Sequence, residues 1–164
     1  DNTASLRRIK PTIDACQRGE MAVAAKQLGK AEEQFQLALR QTPRDYAANL
    51  LMAQCLQAQG KGSQARGFAN TAKSIYPQEA QAHKLAGVLA LGERDPAAAY
   101  SDLDQYDKML PGDAGVTFLK GVSAEGMGRK QEAAQLYASY LRRSQQGKAA
   151  QYAQSRLQTW GYIR

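Results

Sequence analysis

A chain of 164 residues, 43% hydrophobic and 23% charged, has the size and balance of one ordinary globular domain, read here as 1–164. No apolar run approaches the roughly 18–20 residues that span a bilayer, which excludes direct insertion through a transmembrane helix. The net charge of +7 is uneven: residues 80–113 carry 3 basic and 6 acidic groups, and residues 114–164 carry 8 and 2. Such polarity fits either the steering of a charged partner or a solvated face.

Leu6, Ile9 and Ile13 predict a short leading helix, interrupted at Pro11. Pro43, Pro77 and Pro111 then recur every 34 residues and divide the chain into units 12–45, 46–79, 80–113 and 114–147. Each unit is expected to be two helices joined by a tight turn. The turns read Gly60-Lys61-Gly62, Gly92-Glu93-Arg94-Asp95-Pro96 and Gly126-Met127-Gly128-Arg129, with glycine free to take a positive φ after a helix and Pro96 suited to a first turn. In the first unit the glycine comes late, at Gly29, which predicts a longer first helix or an irregular turn. From about 148 to 160, Ala149, Tyr152, Ala153, Leu157 and Trp160 form one apolar stripe, the pattern of a capping helix sealed by the single tryptophan.

Superposed, the units agree in detail. Their eighth position reads Gly19, Ala53, Gly87, Gly121, and their twentieth Ala31, Ala65, Ala99, Ala133. Small residues held in register mark where helices cross closely. This pattern, with Gly128-Arg129-Lys130-Gln131-Glu132-Ala133-Ala134, resembles the tetratricopeptide repeat (TPR). The resemblance implies an all-α, right-handed α-solenoid of about four TPR units, with an N-terminal helix and a C-terminal cap. It also implies a protein-protein interaction scaffold. The family's large residue at position four is replaced by Ala15, Asn49, His83 and Thr117, while position twenty-seven reads Ala38, Ala72, Tyr106, Tyr140. Bulk has moved across the helix pair, and His83 is expected near Tyr106, as a packed rather than catalytic residue.

Chemistry finds little support. One histidine and two separated cysteines, Cys16 and Cys55, make neither a hydrolase triad nor a metal shell nor a disulfide framework, and both cysteines read as small packers. Gly60-Lys61-Gly62-Ser63 follows a helix in a repeat turn, unlike a phosphate loop. Asp102, Asp104 and Asp107 read as a solvated helix face without calcium-loop spacing. The basic clusters, Arg7, Arg8, Lys10 and Arg142, Arg143, Lys148, lack interleaved aromatics, against nucleic-acid binding. The reading is of a non-enzyme with no cofactor, no metal and no nucleic acid.

In TPR proteins the first helices line a concave groove. The resemblance carries that groove onto Ile13, Cys16, Glu20 and Val23, then Ala47, Leu50, Gln54 and Gln57, then Gln81, Lys84, Val88 and Leu91, then Gly115, Phe118, Val122 and Glu125. The carboxylate clamp of one TPR subclass is missing, since Val88 stands where an asparagine is needed and Glu20 repels an anion. A protein or peptide partner is expected, held as an extended segment or an amphipathic helix whose apolar side chains enter pockets. Leu50, Lys84, Val88 and Phe118 are expected to be central. Finally, Met109-Leu110-Pro111-Gly112, Phe118-Leu119-Lys120-Gly121, Glu125-Gly126-Met127-Gly128 and Trp160-Gly161-Tyr162 resemble the C-terminal TPR region of BepA-like bacterial periplasmic zinc metalloproteases. That implies a substrate- or partner-recruiting accessory domain in the periplasm or cell envelope. The start at Asp1 rather than methionine agrees with an excised or processed segment; two unpaired cysteines sit less well with an oxidising compartment.

Overall fold

A computed structural model describes residues 2–164. Among the described residues there are nine α-helices and no strand: α1 (Asn2–Ala24), α2 (Leu28–Gln41), α3 (Tyr46–Ala58), α4 (Gly62–Ile75), α5 (Ala80–Gly92), α6 (Pro96–Met109), α7 (Ala114–Gly126), α8 (Lys130–Arg143) and α9 (Lys148–Thr159). None is long and apolar enough to cross a membrane. The helices group into two compact units, one ending at Leu89 and the other spanning Ala90–Arg164.

The joints follow the 34-residue period. Between the paired helices, one residue per repeat takes a left-handed conformation: Lys26 and Arg94 at φ 59°, Gly60 and Gly128 at φ 77°. The first repeat thus has both the longer helix and a turn whose bend falls on lysine; Gly29 lies within α2. Asp45, Asp95 and Asp113 cap α3, α6 and α7 by accepting the backbone N–H of Ala48, Ala98 and Val116, satisfying donors that a helix start leaves open.

Pro11 does not interrupt the leading helix as expected. α1 runs unbroken through it. A proline removes one backbone hydrogen bond and crowds the preceding turn, but the buried Thr12, Ala15, Cys16 and Gly19 that follow it anchor the helix by packing. Lys10 bridges to Asp14 at 2.7 Å, and the Thr12 and Thr42 hydroxyls lie 2.7 Å apart.

In the first unit α1 packs on α2 and α3 on α4, around Phe35, Met52, Cys55 and Leu56 with small residues between them. The small eighth position has a direct cause. A Cβ on Gly19 would lie 2.3 Å from the ring of buried Phe35. In the second unit α7 packs on α6 and α8, and α8 on α9. A Cβ on Gly121 there would lie 2.7 Å from the ring of Tyr137. Glycine and aromatic are therefore one matched pair, used in the first and fourth repeats, while Ala53 and Ala69 stand at the same positions of the second.

In the last three repeats the fourth position is polar because it binds the loop before it, whereas Ala15 of the first is a buried apolar residue. The Asn49 amide donates to the Pro43 and Asp45 carbonyls at 3.1 and 2.8 Å. His83 Nε2 donates to the Pro77 carbonyl at 2.7 Å. Thr117 donates to the Asp113 carbonyl and accepts from Arg143 at 2.7 Å. Of the displaced tyrosines, Tyr140 is buried with its ring 5.3 Å from that of Phe118. Tyr106 packs against Leu103 and Val116 in the second unit; His83 belongs to the first.

Two acidic residues read as solvated are engaged instead. Asp104 and Asp107 bind the buried Lys120 ammonium at 3.0 and 3.3 Å, joining α6 to α7. Asp102 is buried.

Candidate binding face

In the first unit, Glu20 and Val23 of α1, Leu28 and Phe35 of α2, and Leu51, Gln54, Cys55 and Ala58 of α3 enclose a cavity of about 160 Å³. It thus brings together three of the residues expected in a groove, Glu20, Val23 and Gln54, and adds Leu51, which faces it one position after Leu50. The cavity is below the roughly 300 Å³ at which small-molecule pockets begin, so it suits a side chain rather than a whole small ligand. Its walls are apolar, with the Gln54 amide and the Glu20 carboxylate as polar groups.

Other expected residues lie elsewhere. Cys16 is buried with Ala15, Ala38 and Ala48, and Leu50 is buried with Ala72 and Ala82. Both are core side chains of the first unit. Gln57 and Gln81 are exposed, and Lys84 and Val88 half-buried; none of them lines the cavity.

Because α1 is continuous, its apolar stripe is longer than the expected leading helix. Leu6, Ile9, Ile13 and Val23 are 60%, 41%, 42% and 41% exposed. With Cys16 and Glu20 they follow one another at spacings of three and four, which places them along a single side of the helix. Burial pushes the Cys16 thiol up to about 11 and raises that of Cys55, whose Sγ–H donates to the Leu28 carbonyl at 3.4 Å. Both stay protonated at neutral pH, so neither offers a nucleophilic thiolate. Among the described residues no cluster of acidic, histidine and cysteine side chains could hold a metal ion.

In the second unit the expected groove residues face the protein's own last helix. The Phe118 ring lies 5.7, 5.3 and 6.0 Å from those of Tyr137, Tyr140 and Tyr152, and Val122 packs in the same cluster. Glu125 accepts hydrogen bonds from the Tyr137 hydroxyl at 2.9 Å and the Tyr152 hydroxyl at 3.1 Å, and pairs with Arg156 at 3.2 Å. Burial, then the bond to Glu125, raises the Tyr137 pKa and keeps that hydroxyl a donor. Trp160 stacks on Tyr137 at 6.1 Å under the Arg156 guanidinium, so it seals the last repeat as expected. Leu91 packs beside Ala90, Ala99, Leu103 and Val116. The roles of Tyr137, Tyr152 and Arg156 escaped the sequence reading, although the stripe of α9 pointed to that end.

Comparison with known proteins agrees with this architecture. Residues 22–89 match the tetratricopeptide repeat family. No curated protein matched the chain. Among solved structures, MamA from Desulfovibrio magneticus RS-1 is similar at a TM-score of 0.84 and 14% identity, over 92% of this chain and 85% of that one. YrrB, described as a TPR protein with an unusual peptide-binding site, is similar at 0.76 and 17%, over 84% and 71%. PilF from Pseudomonas aeruginosa is similar at 0.75 and 17%, over 93% and 70%. At such identities the likeness shows the fold, an all-helical TPR solenoid.

Proposed function

We propose that this chain of tetratricopeptide-repeat fold is a non-catalytic scaffold that holds a partner polypeptide on the α1–α3 face of its first unit. The observation that carries this is the exposed Leu6, Ile9, Ile13 and Val23 stripe leading to the small apolar cavity beside Leu51 and Gln54. The three-and-four spacing fits the apolar side of an amphipathic helix. One side chain of the partner fills the cavity, Gln54 binds its backbone or a polar neighbour, and Glu20 favours a cation beside it. The structural likeness to YrrB supports peptide holding as the use of this fold. In the second unit Phe118, Val122 and Glu125 serve to hold the cap.

Peptide display against the purified protein tests the reading. Selected peptides are expected to carry apolar residues at helical spacing, with a lysine or arginine nearby. Ile13→Asp and Val23→Asp are each expected to weaken them about tenfold or more, while thermal stability changes little, as for exposed substitutions. Unchanged affinity in both variants contradicts the assignment. The C-terminal strings resembling periplasmic metalloproteases favour a finer reading, in which the scaffold recruits substrates or envelope proteins for a linked protease. A His-Glu-x-x-His motif encoded upstream in the same gene supports it, and a short upstream segment without one opposes it.

A further inference from the structure

The opposite flank of α1 carries a different surface. Arg7, Lys10, Asp14 and Arg18 recur at helical spacing on one side, roughly 140° round the helix from Ile13, Glu20 and Val23. With Pro11, and with Leu37 from α2, they line a cleft of about 330 Å³. We propose that this cleft is a second docking surface, for an acidic polypeptide segment that also carries apolar side chains.

Three observations define the occupant. Asp14 is already paired with Lys10 at 2.7 Å, so the charge of Arg7 and Arg18 dominates the cleft. The Arg18 Nε donates to the Gln34 side chain at 2.8 Å, which fixes the planar guanidinium at the wall, and such a fork matches carboxylates. Leu37 and Pro11 give an apolar surface between the charges. Nucleic acid fits less well: the lining has no aromatic ring for a base to stack on, and Asp14 repels phosphate. This surface is separate from the α1–α3 face, so either can fail without the other.

Fluorescence anisotropy with two labelled peptides tests the proposal: one with leucines between glutamates, the other with lysines in place of the glutamates. The acidic peptide is expected to bind at near-physiological salt, and the basic one not. Arg7→Glu combined with Arg18→Glu, both exposed, is expected to weaken the acidic peptide about tenfold or more with an unchanged helical circular dichroism spectrum. Val23→Asp is expected to leave this binding intact, and a single-stranded oligonucleotide of equal charge to bind much more weakly. The proposal is overturned if the acidic peptide does not bind, if the double substitution has no effect, or if the oligonucleotide binds equally through the same arginines.

Discussion

At the turn between paired helices, a single torsion angle decides which residue is favoured. Lys26, Gly60, Arg94 and Gly128 share the left-handed conformation, which costs a residue with a Cβ about 1–2 kcal/mol. Glycine avoids that cost but loses about 0.5–1 kcal/mol in chain entropy. Arg94→Gly is therefore expected to stabilise the protein by up to about 1 kcal/mol, and Gly128→Ala to destabilise it by a similar amount. Urea denaturation measures both, and a loss of stability in Arg94→Gly contradicts the argument. At Gly121 the constraint is contact: a Cβ there meets the Tyr137 ring at 2.7 Å. Gly121→Ala is expected to cost about 1–3 kcal/mol, as overpacking does; a neutral result shows that the ring can move aside. The small eighth position was legible from sequence. Its aromatic partner, sixteen residues later in the first and fourth repeats, was not, because the second repeat keeps the glycine-sized gap closed with alanines instead.

Among the helices, α1 and α9 depart most from a plain repeat. Pro11 marked a break in sequence because proline usually ends a helix, yet α1 continues through it, with buried Thr12, Ala15, Cys16 and Gly19 packed just beyond. That continuity produces the long exposed stripe. The groove expected from family positions was partly legible. Glu20, Val23 and Gln54 do meet at one cavity, but Leu50 and Cys16 turn inward because neighbouring alanines leave room for them. No position rule can tell which side of such a slot is filled. For α9, the sequence showed a cap but not its anchor, since Glu125 meets Tyr152 and Arg156 only across a long separation. Glu125→Ala removes the acceptor of two tyrosines and the partner of Arg156, and is expected to raise amide exchange across α9 far more than across α3. Equal protection of α9 in the variant contradicts the anchor.

Across the molecule, the 34-residue proline period announced the architecture, and the helices, turns and cap follow it. Tyrosine burial adds a property of the folded state as a whole. Tyr46, Tyr100, Tyr137 and Tyr152 all have raised pKa values, with burial the leading cause, and Tyr100 is pushed up to about 12. An unfolded tyrosine ionises near 10, so above that pH the unfolded chain loses protons that the folded chain keeps. Stability is then fully present below about pH 10 and falls as pH rises toward about 12. Urea midpoints measured across that range check the sign, and Tyr100→Phe is expected to flatten the fall; a midpoint independent of pH contradicts it.

Amide exchange with and without a display-selected peptide bound shows whether the first unit holds a partner along α1 and α3. Added protection is expected in α1 from Ile9 to Ala24 and in α3 from Leu51 to Ala58, with little change in α4. Protection confined to α4 or α8, with none in α1, would contradict that placement.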